Sequence, residues 1–537
     1  MNENTSPRQP MRVLIAGGGV AGVEALLALS ALAEDLVELQ LLSPYEEFVY
    51  RPLQVVEPFG SGESIAFDLR QIVEDAGARH TRDALARVDP EARTITTASG
   101  ATHDYEALLI ALGARQVEAV PGALTFGDRR QRARFADLLA ALGRRGTSRL
   151  AFVVPREANW SIAAYELALL TAAERDARRL SGVEITLVTH EPAPLDLFGR
   201  AASDLLAGRL EEAGISLRVS SVAERFDRGK LSVVGGESLA VDGVVALPAL
   251  EVPRLPGLPQ VQGGFVQTGV RMEVAGLEDV WAAGDATSFP IKQGGLATQQ
   301  SDVAARSIAA RAGADVPVEP FQPVLRGVLI TGEAPDFLRS RPRDPAGGVA
   351  SRGAALWSPG MKVAGKYLAP YLAGALRQRG SGELVDVEAP EDLEGERAAH
   401  SRAVELVLAA ADADARLGHF EDAIKWLSLV EEFSLVIPPE YVARRYEWRR
   451  QLDPDAPPDP AAKRIDPSFG SPAEAISDLQ RRLGWLREME RRNEGEMRAN
   501  LAVLDEGISE LKALSRRTGI LEARAGPGAR GRSSEDR

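Results

Sequence analysis

The sequence of 537 residues predicts an α/β fold with two parallel strand–helix–strand units and a helical C-terminal extension. Three observations predict this fold. A glycine-rich turn joins an apolar strand at residues 12–16 to a helix, and a second strand follows at 37–42. The same pattern returns with strands at 149–154 and 183–188 around a helix at 161–174. Beyond residue 396 the apolar residues follow helical spacing.

The turn of the first unit reads GGGVAG and has the spacing G-x-G-x-x-G. Its glycines are Gly17, Gly19 and Gly22, and the first helical turn adds Val20 and Ala21. Glycine permits a tight turn at the first position, close approach of a pyrophosphate at the second, and close helix–strand packing at the third. The helix N-terminus then faces the phosphate charge. This unit therefore predicts a Rossmann-like dinucleotide-binding domain.

The second unit lacks these glycines. When positions are counted back from Glu166, as the glycines are from Glu24, the corresponding residues are Asn159, Ser161 and Ala164. Asn159 and Ser161, with Trp160 between them, would crowd a pyrophosphate. We therefore predict a second, degenerate nucleotide loop that binds NAD(P)H weakly, in altered geometry, or not at all.

Composition excludes several functions. The 77 acidic residues outnumber the 63 basic ones, which argues against a nucleic-acid partner because phosphate binding needs a basic face. The chain has no cysteine, which excludes disulfides, thiolate metal sites, Fe–S clusters and cysteine redox relays. The five histidines show no metal-ligand spacing, so we predict no metal site. Three glycines and Glu24 interrupt the apolar run at 13–33, which disfavours a membrane span.

The rest of the chain is predicted from composition and periodicity. Residues 1–10 form a disordered leader and residues 518–537 a disordered tail. A tetratricopeptide-like helical hairpin is predicted at 396–452, and a chance hairpin is nearly equally compatible. A Pro-rich linker follows at 453–472. At 473–517 a coiled coil and an amphipathic helix packed on its own chain are equal alternatives.

Four motifs together resemble the flavoproteins with two dinucleotide-binding domains. These are the pyridine nucleotide–disulfide oxidoreductases, with type II NADH dehydrogenases and sulfide:quinone oxidoreductases among them. The motifs are GGGVAG at 17–22, HDYEALLIALGA at 103–114, VWAAGDAT at 280–287 and PIKQGGLATQQSDVAA at 290–305. The resemblance implies an FAD-binding domain at 11–146 plus 263–325, an NAD(P)-binding-like domain at 147–262 nested within it, and a cap or interface segment at 326–392.

The resemblance also implies the cofactor contacts. Ala111 and Gly113 would contact the flavin, and Asp285, after Gly284, would bind the ribityl chain of FAD. Lys292 and Gln293 would lie at the flavin pyrimidine edge, where a positive helix end stabilises the anionic reduced flavin and raises its potential. The remaining implied contacts are Ser43, Arg51, Gly295 and Leu296 for FAD, and Glu166 for NAD(P)H.

Two features of the chain select among the relatives. Ser43 stands where the family places a ribose-binding acid, and Glu46 and Glu47 are alternative replacements. The absence of cysteine excludes disulfide reduction and cysteine-based sulfide uptake. FVYRPL at 48–53 and the stretch at 357–376 resemble the quinone-reducing branch. An apolar helix at 363–376 is compatible with docking on anionic lipid and with a buried cap, which we favour slightly.

The expected function is that of an FAD-dependent oxidoreductase without a cysteine relay. Electrons would enter as hydride at flavin N5, from NAD(P)H or another donor, and leave to a quinone or similar small-molecule acceptor. The alternative is a non-catalytic flavoprotein scaffold whose helical tail mediates assembly. The C-terminal helices predict a homo-oligomer or a protein partner. A cytoplasmic location, with peripheral contact at the inner face of the membrane, fits both hypotheses.

Overall fold

The structure, a computed structural model, describes residues 9–378 except 63, 144–147, 342–343 and 354, and parts of 408–452. The chain divides into two compact regions, an N-terminal region Met1–Pro390 and a C-terminal region Glu391–Arg537. The leader at 1–8, the linker at 453–472, the helical segment at 473–517 and the tail at 518–537 lie outside the described residues.

The bounds of the helices and strands are as follows. The helices are α1 Val20–Ala33, α2 Leu69–Asp75, α3 Arg129–Ala141, α4 Ile162–Ala177, α5 Arg200–Glu212, α6 Gly294–Ala312, α7 Leu368–Gln378 and α8 Pro439–Leu452. The strands are β1 Met11–Ala16, β2 Val37–Leu42, β3 Glu47–Tyr50, β4 Ile65–Asp68, β5 Arg79–Thr81, β6 Leu85–Asp89, β7 Thr94–Thr97, β8 Thr102–Asp104, β9 Ala107–Ile110, β10 Arg115–Val117, β11 Leu124–Thr125, β12 Ser148–Val154, β13 Val183–Thr189, β14 Ile215–Arg218, β15 Ala223–Asp227, β16 Lys230–Val233, β17 Ser238–Ala240, β18 Gly243–Ala246, β19 Ala249–Glu251, β20 Val280–Ala282, β21 Leu325–Leu329, β22 Asp336–Arg341 and β23 Asp344–Arg352.

The first parallel sheet has the strand order β20-β9-β1-β2-β5. Its strands end together. Gly17 N–H donates to the carbonyl of Leu42 at 2.8 Å, and Ala111 N–H donates to that of Ala16 at 2.8 Å. On the far side, Ala283 N–H donates to the carbonyl of Ile110 at 3.0 Å. The carboxyl ends of four strands therefore meet at one edge, where open α/β sheets bind their ligands.

Helix α1 is apolar on nearly all sides because it is enclosed. The sheet covers one side, and helices α6 and α7 contact it as well. Val23, Leu26 and Leu29 are buried in one core with Ile308 of α6 and Leu372 of α7. A helix that is covered on all sides needs no polar face.

The second parallel sheet has the order β11-β18-β12-β13-β14. One face packs on α4 and α5, and the antiparallel strands β15-β16-β17 share a core with the other face. A third sheet, β21-β22-β23, is antiparallel and joins α5 through Arg209, which pairs with Asp336 at 2.9 Å. The predicted α/β fold with two Rossmann-like parallel sheets is confirmed.

The cap segment differs from the sequence expectation in one respect. The apolar helix predicted at 363–376 begins only at Leu368, and residues 362–367, here named the strap, are extended or bent. Leu368, Leu372 and Leu376 are buried in the core around α1, which is the buried-cap arrangement. Within the described part of the chain, none of the helices combines the length and apolarity that a membrane crossing requires.

The C-terminal region, Glu391–Arg537, is described only in part. Gly418 has a positive φ of 80° at a helix end, as expected for a turn. The hydroxyl of Tyr441 on α8 donates to Asp412 at 2.7 Å, and Arg444 pairs with the same carboxylate at 2.6 Å. The tetratricopeptide-like hairpin at 396–452 lies partly outside the described residues and stays a prediction.

Candidate functional site

The first glycine loop is closely packed at Gly17 and Gly22 and open at Gly19. Gly17 has φ +124°, and a Cβ there would lie 2.2 Å from the carbonyl oxygen of Ala111. A Cβ on Gly22 would lie 1.7 Å from the carbonyl oxygen of Gly17. Around Gly19, by contrast, no atom lies within 4 Å of such a Cβ.

Gly19 is also the N-cap of α1, and no side chain caps that helix end. The backbone N–H groups of the first turn, which includes Val20 and Ala21, therefore have no N-cap side chain as an acceptor. Uncapped N–H groups at a helix N-terminus bind anions. The residues present fit the diphosphate of a dinucleotide at this loop.

The turn at Gly284 brings a second motif to the same place. Gly284 has φ +78°, and a Cβ there would lie 2.9 Å from that of Ala21 and 3.5 Å from that of Ala297. Its N–H donates to the buried side chain of Gln300 at 2.7 Å. The turn is thus clamped between the first turn of α1 and the start of α6, and Asp285 follows directly.

Asp285 and Lys292 form the charged part of the site. Burial raises the pKa of Asp285, and the positive charges of Lys292 and Arg51 partly offset this effect. Across the described residues, no hydrogen-bond donor reaches the Asp285 carboxylate, so it can accept a hydrogen bond from a ligand hydroxyl. Burial lowers the pKa of Lys292 to about 8, against the opposing effect of Asp285.

Lys292 has a fixed position. Its side chain is 7% exposed, and its ammonium donates to the carbonyl of Thr287 and lies 4.4 Å from the ring centre of Phe265. A cation held this way contributes positive charge beside the N-terminus of α6. The Lys292 charge is the one that the sequence analysis expects at the pyrimidine edge of the flavin.

Gln293 has a structural role that the sequence did not indicate. It is the N-cap of α6, and its side-chain oxygen accepts the N–H of Leu296 at 2.9 Å. Its amide nitrogen donates to the carbonyl of Arg326 at 2.8 Å. Both ends of the Gln293 amide are therefore engaged within the protein. The predicted contacts of Gly295 and Leu296 lie in the first turn of the same helix.

Ser43 lies against the glycine loop, as its sequence position predicts. A Cβ on Gly18 would be 2.7 Å from the Ser43 hydroxyl, and that hydroxyl accepts the N–H of Tyr45 at 3.3 Å. Glu46, a proposed replacement for the ribose-binding acid, is ion-paired with Arg82.

The remaining predicted FAD contacts occupy two turns. Arg51 is exposed at the start of a 3₁₀ turn, Arg51–Val55. Gly113 has φ +67° and open space around it, just after β9.

Glu24 binds the strap to the first unit. This buried side chain of α1 accepts three backbone N–H groups, from Lys366 at 2.8 Å, Tyr367 at 3.1 Å and Leu368 at 2.7 Å. Tyr50 adds a fourth contact, because its hydroxyl accepts the N–H of Val363 at 3.0 Å. Glu24 therefore caps the N-terminus of α7.

Glu166, in α4 of the second strand–helix–strand unit, binds the same strap. Its carboxylate pairs with Lys362 at 2.5 Å and accepts the N–H of Ile330 at 2.8 Å. The prediction connected Glu166 with NAD(P)H, and in the structure its partner is the cap segment. One sequence signal could have revealed this role, since Glu24 and Glu166 are both charged residues at the same offset in an apolar helix.

Burial raises the pKa of both glutamates. For Glu24 the desolvation outweighs the three backbone hydrogen bonds and raises the pKa to about 7. For Glu166 burial also raises the pKa, although Lys362 and the Ile330 N–H act in the opposite direction. Two carboxyl groups with raised pKa values thus flank the strap from opposite sides.

The second loop is longer than the residue count suggested. β12 ends at Val154 and α4 begins at Ile162, so residues 155–161 connect them, whereas residues 17–19 connect β1 to α1. The alignment from Glu166 missed the additional residues 155–158. Asn159 donates to the carbonyl of Pro290 at 2.9 Å, and Trp160 packs edge-on against Phe198.

A carboxylate of the chain itself lies at the start of α4. Glu191 is buried and accepts hydrogen bonds from Ser161 at 2.8 Å, Tyr165 at 2.6 Å and Thr189 at 2.8 Å. These three hydroxyl groups use both carboxylate oxygens. The first acidic residue after β13 is therefore satisfied internally.

A model of the family described as pyridine nucleotide-disulphide oxidoreductase matches residues 161–308. That segment is similar to this family. Two curated NADH dehydrogenase-like proteins, from two strains of Mycobacterium tuberculosis, are each 26% identical over 299 residues, which are 51% of this chain and 72% of the relative. The match supports an oxidoreductase enzyme.

A solved structure supports the fold of the family. The sulfide:quinone oxidoreductase from the hyperthermophilic bacterium Aquifex aeolicus superposes with a TM-score of 0.58 and 18% identity. The superposition covers 71% of this chain and 93% of that enzyme. At this identity the likeness concerns the fold.

Proposed function

We propose that the protein binds FAD at the first glycine loop and passes electrons from a donor, through the flavin, to a quinone or similar acceptor. The open N-terminus of α1 at Gly19 supports this proposal most directly, because the rest of the loop is closely packed. FAD, when bound, supplies the hydride and electron chemistry that no side chain of this site provides.

The residues of the chain hold and tune the cofactor. The N–H groups of the first turn of α1 would bind the diphosphate, and the Asp285 carboxylate would accept a hydrogen bond from a ribityl hydroxyl. Lys292, beside the N-terminus of α6, favours negative charge at the pyrimidine edge. The buried Glu166–Lys362 pair keeps the strap closed against the site from the second unit.

We infer that the electron donor is not an NAD(P)H molecule bound at the second loop. Glu191 already accepts hydrogen bonds from the hydroxyl groups at the start of α4. The longer connection also contains Trp160, directly before Ser161. The mycobacterial relatives have NADH in their names, and the Aquifex enzyme has sulfide and quinone in its name. A small reductant that reaches the flavin directly fits the filled loop better.

A scaffold without turnover is the second candidate, and the filled second loop is the observation that favours it. Anaerobic addition of NADH, NADPH or dithionite to the purified protein separates the two. Reduction by dithionite followed by rapid reoxidation with a water-soluble quinone supports the oxidoreductase. A dithionite-reduced flavin that the quinone does not reoxidise supports the scaffold.

The cofactor proposal is tested with Gly19→Ala. The added methyl group meets no protein atom, so the free energy of unfolding of the apoprotein should stay within about 0.5 kcal/mol of wild type. FAD affinity should nevertheless fall at least about tenfold, because the methyl group occupies the phosphate path. Gly374→Ala, in α7, is the matched control, since its surroundings are equally open. Purified wild type without flavin absorbance, and without a rise in Tm on adding FAD, would refute the proposal.

A further inference from the structure

The connection after β2 leaves the sheet beside the first glycine loop. β1 and β2 are parallel neighbours with Ala16 opposite Leu42, so the residues after Leu42 emerge at the same edge as Gly17. The close approach of Ser43 to Gly18 shows this proximity directly. Tyr45 follows two residues later, after Pro44, whose ring restricts the backbone. Tyr45 therefore lies near the first glycine loop.

Ser43 supplies no carboxylate for the ribose at this edge. The side chain at the usual acid position is its hydroxyl, which is fully buried and already accepts the Tyr45 N–H. Glu46 is paired with Arg82, and Glu47 is exposed at the start of β3. Since position 43 carries no carboxylate, a dinucleotide at this loop gains from a further contact to its adenosine.

Tyr45 is an exposed aromatic residue without a partner. Its relative exposure is 64%, the highest value among the large hydrophobic residues of the described chain, shared with Val270. Over the described residues, neither a ring contact nor a hydrogen bond engages its side chain. An exposed ring beside a nucleotide loop can recover buried area by stacking on a base.

We propose that Tyr45 stacks on the adenine ring of FAD and compensates for the ribose carboxylate that Ser43 does not provide. The inference rests on the proposed function, because it takes FAD to be bound at the first glycine loop. It assigns to Tyr45 the recognition of a purine base and gives it no part in electron transfer.

The test compares flavins with and without adenine. Dissociation constants of FAD and FMN are measured by titration calorimetry on the full-length apoprotein of wild type, Tyr45→Ala and Tyr45→Phe. Tyr45→Ala should weaken FAD binding by about 10- to 100-fold, the range of one base–aromatic stack, and Tyr45→Phe by about twofold at most. FMN affinity should be the same in all three. Val270→Ala, at an equally exposed site, is the control.

A second measurement keeps the test independent of FMN affinity. ADP carries the adenine without the flavin, and it should compete with FAD for wild type and at least about tenfold less well for Tyr45→Ala. The inference is overturned if Tyr45→Ala binds FAD within twofold of wild type, or if it weakens FMN and FAD equally. Wild-type protein that binds neither flavin would instead overturn the proposed function.

Discussion

The two strand–helix–strand units share one topology and differ in the connection between strand and helix. In the first unit, residues 17–19 make a short connection that leaves the helix N-terminus open. In the second, residues 155–161 make a longer one, and Ser161 at its end donates to Glu191. The same supersecondary unit therefore ends in an uncapped helix N-terminus in one case and in a hydrogen-bonded connection in the other. The difference lies in the loop, and the sheet topology is the same.

The two units also use their equivalent glutamates differently. Glu24 accepts only backbone N–H groups of the strap and α7, whereas Glu166 is paired with the ammonium of Lys362. A cationic partner lowers the free-energy cost of ionising a buried carboxyl group. This difference suggests where pH acts on the molecule.

The largest expected effect comes from Gly22→Ala. The new methyl group would lie 1.7 Å from a backbone oxygen that cannot move without distorting Gly17, so the unfolding free energy should fall by about 3 kcal/mol or more, with loss of bound FAD. The counterpart in the second unit, Ala164, already carries this methyl group, and Ala164→Gly should cost only about 1 kcal/mol. Urea unfolding and flavin absorbance measure both. Equal losses in the two variants would remove the distinction between the units.

An effect of similar or smaller size is expected from pH through Glu24. The folded protein holds the Glu24 proton up to a pKa of about 7, above the value near 4.5 of an exposed glutamate. The folded state thus binds more protons than the unfolded state between these values. Its free energy of unfolding should fall as pH rises from about 4.5 to about 7, by up to about 3 kcal/mol, and level off above.

Glu24→Gln should flatten that slope. Asp75→Asn is the matched control, because it neutralises an exposed carboxylate that accepts a hydrogen bond from Tyr371 of the same helix α7. Unfolding is followed by denaturant titration from pH 4.5 to 8.5. A slope in Glu24→Gln as steep as that of Asp75→Asn would show that other groups cause the pH dependence.

The smallest expected effect concerns the second loop. Wild type should bind NADH with a dissociation constant well above the micromolar range, and Ser161→Gly should change it by less than about tenfold, or 1.4 kcal/mol. The additional residues 155–158 remain, and Glu191 keeps its hydrogen bonds to Tyr165 and Thr189. Quenching of the Trp160 fluorescence provides the titration signal. A low-micromolar constant in wild type would show that the loop is open to the nucleotide.

Local signals were sufficient to predict the fold and the glycine turn between β1 and α1. The glycine spacing at 17–22 and the apolar strands at 12–16 and 149–154 are properties of short segments, and the structure has the predicted elements there. The additional residues 155–158 lie between the predicted strand at 149–154 and the predicted helix at 161–174, and they were missed because the alignment was counted back from Glu166 and not forward from the end of the strand. The helix at 363–376 was placed too early because an apolar stretch does not distinguish a helix from a buried extended segment.

The sequence by itself determined the two parallel units, their order, and the open glycine loop, because strand period, helix period and glycine conformation act within a few residues. Only the tertiary structure decided the roles of the buried charges. Glu24 meets Leu368, and Glu166 meets Lys362, across separations of 344 and 196 residues. The carbonyl of Arg326 holds the amide of Gln293 in its position at the start of α6, and Glu191 holds the second loop through Ser161. A buried polar group takes whichever partner the folded chain brings within hydrogen-bond distance, and that partner is set by packing between distant segments.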